Sequence, residues 1–480
     1  MSTSSTGALD DPEESGSLDN VDIVVDIVDD LDADPTGETD SDNALASIPG
    51  FTHSVAIRVP PGIYAFSGRR HPVGRDIATD ASGPAEVHFV AADEGVAPPE
   101  TEGTPAEHLS RPRFVAPQGF SDVWLDIAAR EVTFDGIDID RNGYKAGPQL
   151  RFRCSDSLLI RDCRVLDRDD TAVATGATFD VSGTRRSTLD IDHLSMPHGA
   201  WWPTNHFARR TDSEVPQYGR AGLLIGSSNQ GHVKITDCEI AECSGHGIDV
   251  ASSENVVTIS GGDYRNNNGA QVRLTGSDHE IRNATVDIDF EGLDQSRTDA
   301  VGRVVSGIDS SAYSEVAGVA FARSATLSTT DPTTRTGTIR DSRVAVDSVA
   351  GETDETSANG GAGSPIARGA VVVGSDAGGP TVERCDLLVA VDEVAGFRAD
   401  APEIVDAGSE TAYDVTVRQT SVDGAAQSGV AFVVTGRQGT FRGCIARPGT
   451  RVPADADGVT IQAALRGMCP RRVDVNATNE

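Results

Sequence analysis

Asp169 and Asp170 stand side by side in "DRDDTAVATG", and His246 lies between two glycines in "SGHGIDV". Carboxylates and an imidazole are the side chains that give and take protons at a glycosidic bond. Hydrolysis with inversion needs two carboxyl groups flanking that bond, roughly 6.5–9.5 Å apart. Neighbours on a strand face opposite sides, so Asp169 and Asp170 reach one substrate together only from a bend. As structural residues, Asp170 belongs in a solvated turn and His246 in an ordinary chain bend.

A second constellation lies in "SMPHGAWWPTNHFARRTDSEVPQYGR", residues 195–220. It gathers Trp201 and Trp202 with His198, His206 and Tyr218. Flat aromatic faces beside polar groups suit sugar rings, and long loops on a repetitive scaffold commonly carry function. The structural alternative is a lid of packed tryptophans or a subunit contact. His193, His198 and His206 lack the spacing of a zinc site, so no metal is read there. Asp190 with Asp192, and Asp287 with Asp289, are i, i+2 pairs on one strand face. Calcium is the one cation such pairs could hold for a lyase. In a chain with 74 acidic residues they also arise as solvated surface. No other cofactor is expected.

The elements that must position these residues are repeats. A six-residue phrase recurs as "IRDCRV" at Ile160, "ITDCEI" at Ile235, "ISGGDY" at Ile259 and "IRNATV" at Ile281. It continues as "IRDSRV" at Ile339, "VERCDL" at Val382 and "VRQTSV" at Val417, with looser copies at Phe134 and Phe441. Clean copies lie in the low twenties of residues apart, and the gap from Ile160 to Ile235 reads as about three turns. "HGIDV" at His246 and "GAQVRL" at Gly269 keep the same register, so each turn holds at least two strands. Such a period with Gly, Asn and Asp punctuation specifies a coiled parallel sheet whose rungs stack at ~4.8 Å. The third hexad position should take a left-handed backbone, and the fourth should be small and buried. Cys163, Cys238, Cys385 and Cys444 occupy that fourth position, which makes them core residues rather than ligands or bridges.

Residues 1–20 read as a disordered lead-in, and 21–105 as an N-terminal cap segment with a short helix near Ser41 or Asp42. The coil is assigned to 106–464, with its insertion at 195–220, and 465–480 forms a polar tail. Acids outnumber Lys plus Arg by 74 to 40, for a formal charge of −34. Only Lys145 and Lys234 are lysines. A dense carboxylate surface suits molar salt, where the Debye length shrinks to roughly 3 Å. Nucleic acid is excluded as a partner by the missing basic stripe. No stretch approaches the roughly 20 apolar residues of a membrane span. The first basic residue is Arg58, so no secretory signal is read, and the expectation is either an intracellular protein or release by another route, such as assembly into a virus particle.

"DADPTGETDSDNALASI" followed by "IRVPPGIYAF" resembles the N-terminal motif of the pectate lyase-like β-helix superfamily, and the hexads look like its repeats. The resemblance covers roughly 21–462 and implies an all-β, right-handed parallel β-helix. It implies a lateral face for a polysaccharide or cell-surface glycan, in a superfamily that spans lyases, hydrolases and virus tailspikes. Asp169, Asp170 and His246 match the Asp pair and Gly-His-Gly of polygalacturonases. The family's Asn-Thr-Asp and Arg-Ile-Lys do not follow in order, so the catalytic set is incomplete. The reading is a halophilic structural or adhesion protein of virion-tail or cell-surface type, outside the cell or on a virion. A homotrimer or a virion partner is compatible with it. The alternatives are a polysaccharide lyase or glycoside hydrolase, and a repeat protein with no ligand.

Overall fold

The computed structural model describes residues 21–48, 53–67, 71–74, 85–92, 110–117, 123–141 and 149–166. It continues through 177–199 without 183 and 185, and 221–289 without 227, 228, 244, 251–255, 268 and 277. Beyond these it describes 316–322, 337–348, 367–400 without 375, 376, 392 and 393, then 414–424, 430–434, 439–446 and the backbone of 471–477. The 1–20 lead-in lies outside the described residues, as do Asp169, Asp170, Trp201, Trp202, His206 and Tyr218.

Every turn contributes three strands, and each strand pairs in parallel with its equivalents one turn below and above. The first face runs from Ile23–Asp26 through Val55–Val59 and Glu86–Ala91 to Val415–Arg418. Its inward column passes through Phe134, Ile160, Ile191, Ile235, Ile259, Ile281, Ile339, Val382, Val417 and Phe441. All ten begin hexads. The step from Ile160 to Ile235 holds one intervening rung, Thr188–Asp192, so the long gap spans two steps rather than three. Its hexad "IDHLSM" has leucine in the fourth place, which hides it from a search for small residues.

A two-residue corner leads to the second face, which runs from Gly62–Ala65 through Pro112–Val115 to Ser421–Asp423. The pairing of these first two strands carries the sheet past residue 105 without a break. The first corner residue has positive φ in ten successive turns: Gly136, Asp162, His193, Asp237, Gly261, Asn283, Asp341, Arg384, Gln419 and Gly443. The second residue points into the core. Cys163, Cys238 and Cys385 donate to the carbonyl two residues back at 3.1, 3.3 and 3.3 Å, as do Ser342 and Thr420 at 2.8 and 2.9 Å. A thiol or hydroxyl there satisfies a carbonyl that the left-handed turn leaves inside the coil. Burial pushes the Cys163 and Cys238 thiols up to about 12 and Cys385 to about 11, so they stay protonated and inert. Cys163 and Cys238 are two rungs apart, too far for a bridge, and every described cysteine is free.

The third face runs from His71–Gly74 through Val123–Asp135 and Gln149–Arg161 (whose early halves belong here) to Val430–Val434. The interior is one continuous apolar cluster. Its lower turns are aromatic, with Phe152 and Phe179 stacked at 5.3 Å, and its upper turns are mostly aliphatic. The helix Asp42–Ser47 lies in the first turns with Ser41 at its N-cap position. At the far end Arg471–Ala477 pairs antiparallel with Gly439–Ala446, which covers the last rung of the coil. A parallel strand–crossover–strand coil of L-residues takes the right hand. The chain is a right-handed parallel β-helix.

Candidate functional site

The three corners differ in length, and the difference locates the site. From Gly136 onward the corner between first and second faces is two residues long in every turn. Connections into the third face are variable: 167–176, 197–222, 290–315 and 349–366 all precede third-face strands. Those leaving it include 251–256, 323–336 and 400–414. The third face alone is therefore bordered in sequence by long connections on both sides, and its outward strip is termed the groove.

The groove floor carries an acid–arginine pair at each end. In the outward column Asp126, Arg151, Thr178, Leu224, Asp249 and Arg273 occupy six successive rungs. Asp126 is buried and accepts from Arg151 Nε at 3.1 Å and from Arg153 Nη2 at 3.1 Å. Four rungs along, Arg273 Nη1 donates to Asp249 Oδ1 at 3.3 Å. Between these clusters Asp180 stands above Arg153 in register, and its carboxylate fills the place a Cβ on Gly226 would take. The strip from Asp126 to Arg273 is five rungs, roughly 24 Å, long. Asp126, Asp180 and Asp249 are each two rungs and two residues apart, roughly 12 Å between Cα atoms. Carboxylates and guanidiniums in a row suit the hydroxyls of an extended chain.

The residues singled out from sequence belong to connections that enter the third face. Asp169 and Asp170 belong to the connection entering Ala177–Val181. Trp201, Trp202, His206 and Tyr218 belong to the connection entering Leu223–Ile225, and His246 directly precedes Ile248–Val250. The connection carrying the tryptophans is pinched at its base. A Cβ on Gly199 or on Gly222 would lie 2.5 Å from Cys243 Sγ. Buried Arg141 donates to the Gly199 carbonyl at 2.6 Å. His198 is half-exposed, with Nδ1 3.2 Å from a Glu242 carboxylate oxygen.

His246 is buried, and its Nδ1 accepts the Ala270 N–H at 2.9 Å from the next turn. Beside it Asn267 accepts the Cys243 N–H at 2.9 Å and donates to the Ile240 carbonyl at 3.2 Å. This geometry gives His246 a place in the internal hydrogen bonding of the corner.

Carboxyls with displaced titration lie on the other faces. Asp287 is raised by burial and by Asp347, with Asp289 and Asp263 adding to it, and Arg343 opposes the shift. Burial also raises Asp190, with Lys234 at 3.7 Å opposing it. Glu239 is partly buried, which opposes ionisation, yet hydrogen bonds from Ser195 at 2.8 Å and Arg265 at 2.6 Å hold it low. Among the described residues, no three His, Cys, Asp or Glu side chains converge as a metal site.

Asp126, Arg151, Arg153, Asp180 and Arg273 carry no motif of their own. Their signal was the single charge between apolar neighbours in "WLDI", "LRFRC", "TFDV" and "VRLT". Placing "GIDV" over "QVRL" by register puts Asp249 beneath Arg273.

No protein-family model and no curated protein matches the chain. Among solved structures it is similar to the A-module of mannuronan C-5 epimerase AlgE4 from Azotobacter vinelandii. Identity there is 11%, over 90% of this chain and 100% of that one, at a TM-score of 0.45. It is also similar to PfbA, a surface adhesin of Streptococcus pneumoniae, at 12% identity, 94% and 100% coverage and a TM-score of 0.40. ORF18 of Geobacillus virus E2 is similar at 10% identity and a TM-score of 0.42. That likeness covers 88% of this chain and 61% of the viral one, so the chain spans about three fifths of the viral protein's length. The fold rests on the chain's own strand registers, and these define the class: a right-handed parallel β-helix.

Proposed function

We propose that the chain is a glycan-binding β-helix of adhesion or virion-tail type, and that it binds an extended sugar chain along the third face. One observation carries this reading. The third face is bordered on both sides by long connections, and its outward strip is a row of largely buried carboxylates and arginines. Trp201 and Trp202, in the connection 197–222 that enters this face, would add ring-stacking surface. The acid excess and near-absence of lysine support a halophilic habitat. The test is binding of immobilised neutral and charged polysaccharides in molar KCl by wild type and by Asp249→Ala/Arg273→Ala. Loss of binding in the variant, with no release of reducing or unsaturated ends by wild type, is the expected result.

The second reading is a polysaccharide hydrolase. Asp287 raised and Glu239 lowered on the same face is the pattern that separates an acid from a base. Release of reducing ends that stops in Asp287→Asn would replace the first reading with this one.

A further inference from the structure

The registers bring four threonines into one column on the last rungs of the first face: Thr338, Thr381, Thr416 and Thr440. Two residues on, the parallel column reads Arg340, Glu383, Arg418 and Arg442. Both columns point outward, and Arg418 and Arg442 are exposed. Several other arginines on this face are tied down: Arg161 to Asp135, Arg282 to the Ser260 hydroxyl and Arg340 to Glu280. Glu383 is the register neighbour of Arg418, but its carboxylate goes to Arg384 Nη1 at 2.7 Å, and Arg384 also holds Asp341. Among the described residues Arg418 and Arg442 therefore have no ion pair, and the four threonine hydroxyls have no side-chain partner.

Two like charges directly opposite on adjacent rungs, ~4.8 Å apart, repel one another. A chain with 74 acids and 40 basic residues has carboxylates to spare, yet among the described side chains none pairs with Arg418 or Arg442. The anion that completes the ladder comes from outside. Repeated guanidiniums beside repeated free hydroxyls match a partner that alternates anions with hydroxyl groups. That is an acidic sugar chain, in which charge is sparse enough to approach a protein of formal charge −34. We propose that Thr338–Arg340, Thr381–Glu383, Thr416–Arg418 and Thr440–Arg442 form a second binding surface, for a carboxylated or sulfated glycan. It lies on a different face from the groove and does not rest on the groove's function.

The intact protein, in the lowest salt that keeps it folded by circular dichroism, is titrated calorimetrically with polygalacturonate, dextran sulfate, neutral dextran and duplex DNA. Binding of polygalacturonate or dextran sulfate, absent for neutral dextran, is expected, and the stronger of the two names the anion. Arg418→Ser/Arg442→Ser should weaken it about tenfold per arginine with unchanged melting. Thr416→Val/Thr440→Val, isosteric and folded, should weaken it less. Equal binding by wild type and the arginine variant overturns the proposal, as does preferential binding of DNA. A change in sedimentation of the variant alone would make the ladder a contact between copies, which also overturns it.

Discussion

The corner between the first and second faces and the corner entering the third face carry the same coil through the same turns. The first holds two residues ten times over, with φ between 46° and 73° at its leading position. The other ranges from a few residues to the 26-residue stretch 290–315. The first corner is fixed because its second residue stands in the core and its backbone contacts the rung below. A longer connection there would expose the apolar column. The other corner opens outward, and loop length costs little once the ends are held. One side of the prism keeps register and the opposite side varies in length, which is why the proposed glycan site is assigned to the third face.

The largest effect expected from breaking this contrast is at Gly262. Its φ is +88°, and a Cβ would meet the Cys238 carbonyl oxygen at 2.5 Å and Tyr264 Oη at 2.6 Å. Gly262→Val should cost about 3 kcal/mol or more in denaturant unfolding. A glycine–serine replacement of 201–219, by contrast, should leave the melting temperature nearly unchanged. On the groove side, Asp249→Ala/Arg273→Ala should reduce glycan affinity about tenfold or more, while stability changes by about 1 kcal/mol or less for a half-exposed pair.

Acid should loosen the corner next to the groove. His279 is buried; its Nδ1 accepts the Val257 N–H at 3.1 Å and its Nε2 faces the Thr275 carbonyl at 3.0 Å. Burial lowers its titration below the ordinary 6.5, although the Thr275 bond and Asp278 oppose this. Between the folded and unfolded values the unfolded chain binds more protons. This stability is therefore full above pH 6.5 and falls as pH drops below it, by at most about 1.4 kcal/mol per pH unit. Denaturation at stepped pH, with His279→Gln flattening the slope, checks it. Asp34 acts only in stronger acid. Burial opposes its ionisation, but hydrogen bonds from Thr36 and Thr39 bring it down to about 2. The smallest effect is at the fixed corner, where Gln419→Gly should stabilise by about 0.5–1 kcal/mol by removing a left-handed non-glycine residue. The thiols of Cys163, Cys238 and Cys385 should resist alkylation until the chain unfolds.

The coil was legible because stacking forces periodicity. Ile160, Ile235 and Ile259 share a column, and only a residue that can bury there fits every turn. The left-handed third position was legible at Gly261 and Asn283, whose backbones favour it, and less so at Arg384 and Gln419, whose side chains do not announce it. Ile191 escaped because Leu194 takes the place where a small residue was expected. The groove floor was hidden for a different reason. Asp126, Arg151 and Asp249 are each one charge in a short apolar run, and their relation exists only after 25 or so residues are folded back into register. Conversely, the glycines around His246 suggested chemistry, whereas Gly247 and Gly269 are held small by the Asn267 and His246 side chains.

On the proposed reading, glycan binds along the third face. Hydrogen–deuterium exchange of the intact protein, with and without the best-bound polysaccharide, tests it most directly. Protection concentrated in Ala177–Val181, Leu223–Ile225 and Ile248–Val250 is expected. Protection confined to the second-face strands Glu239–Ala241 and Asp263–Arg265, with the third face unchanged, would contradict it.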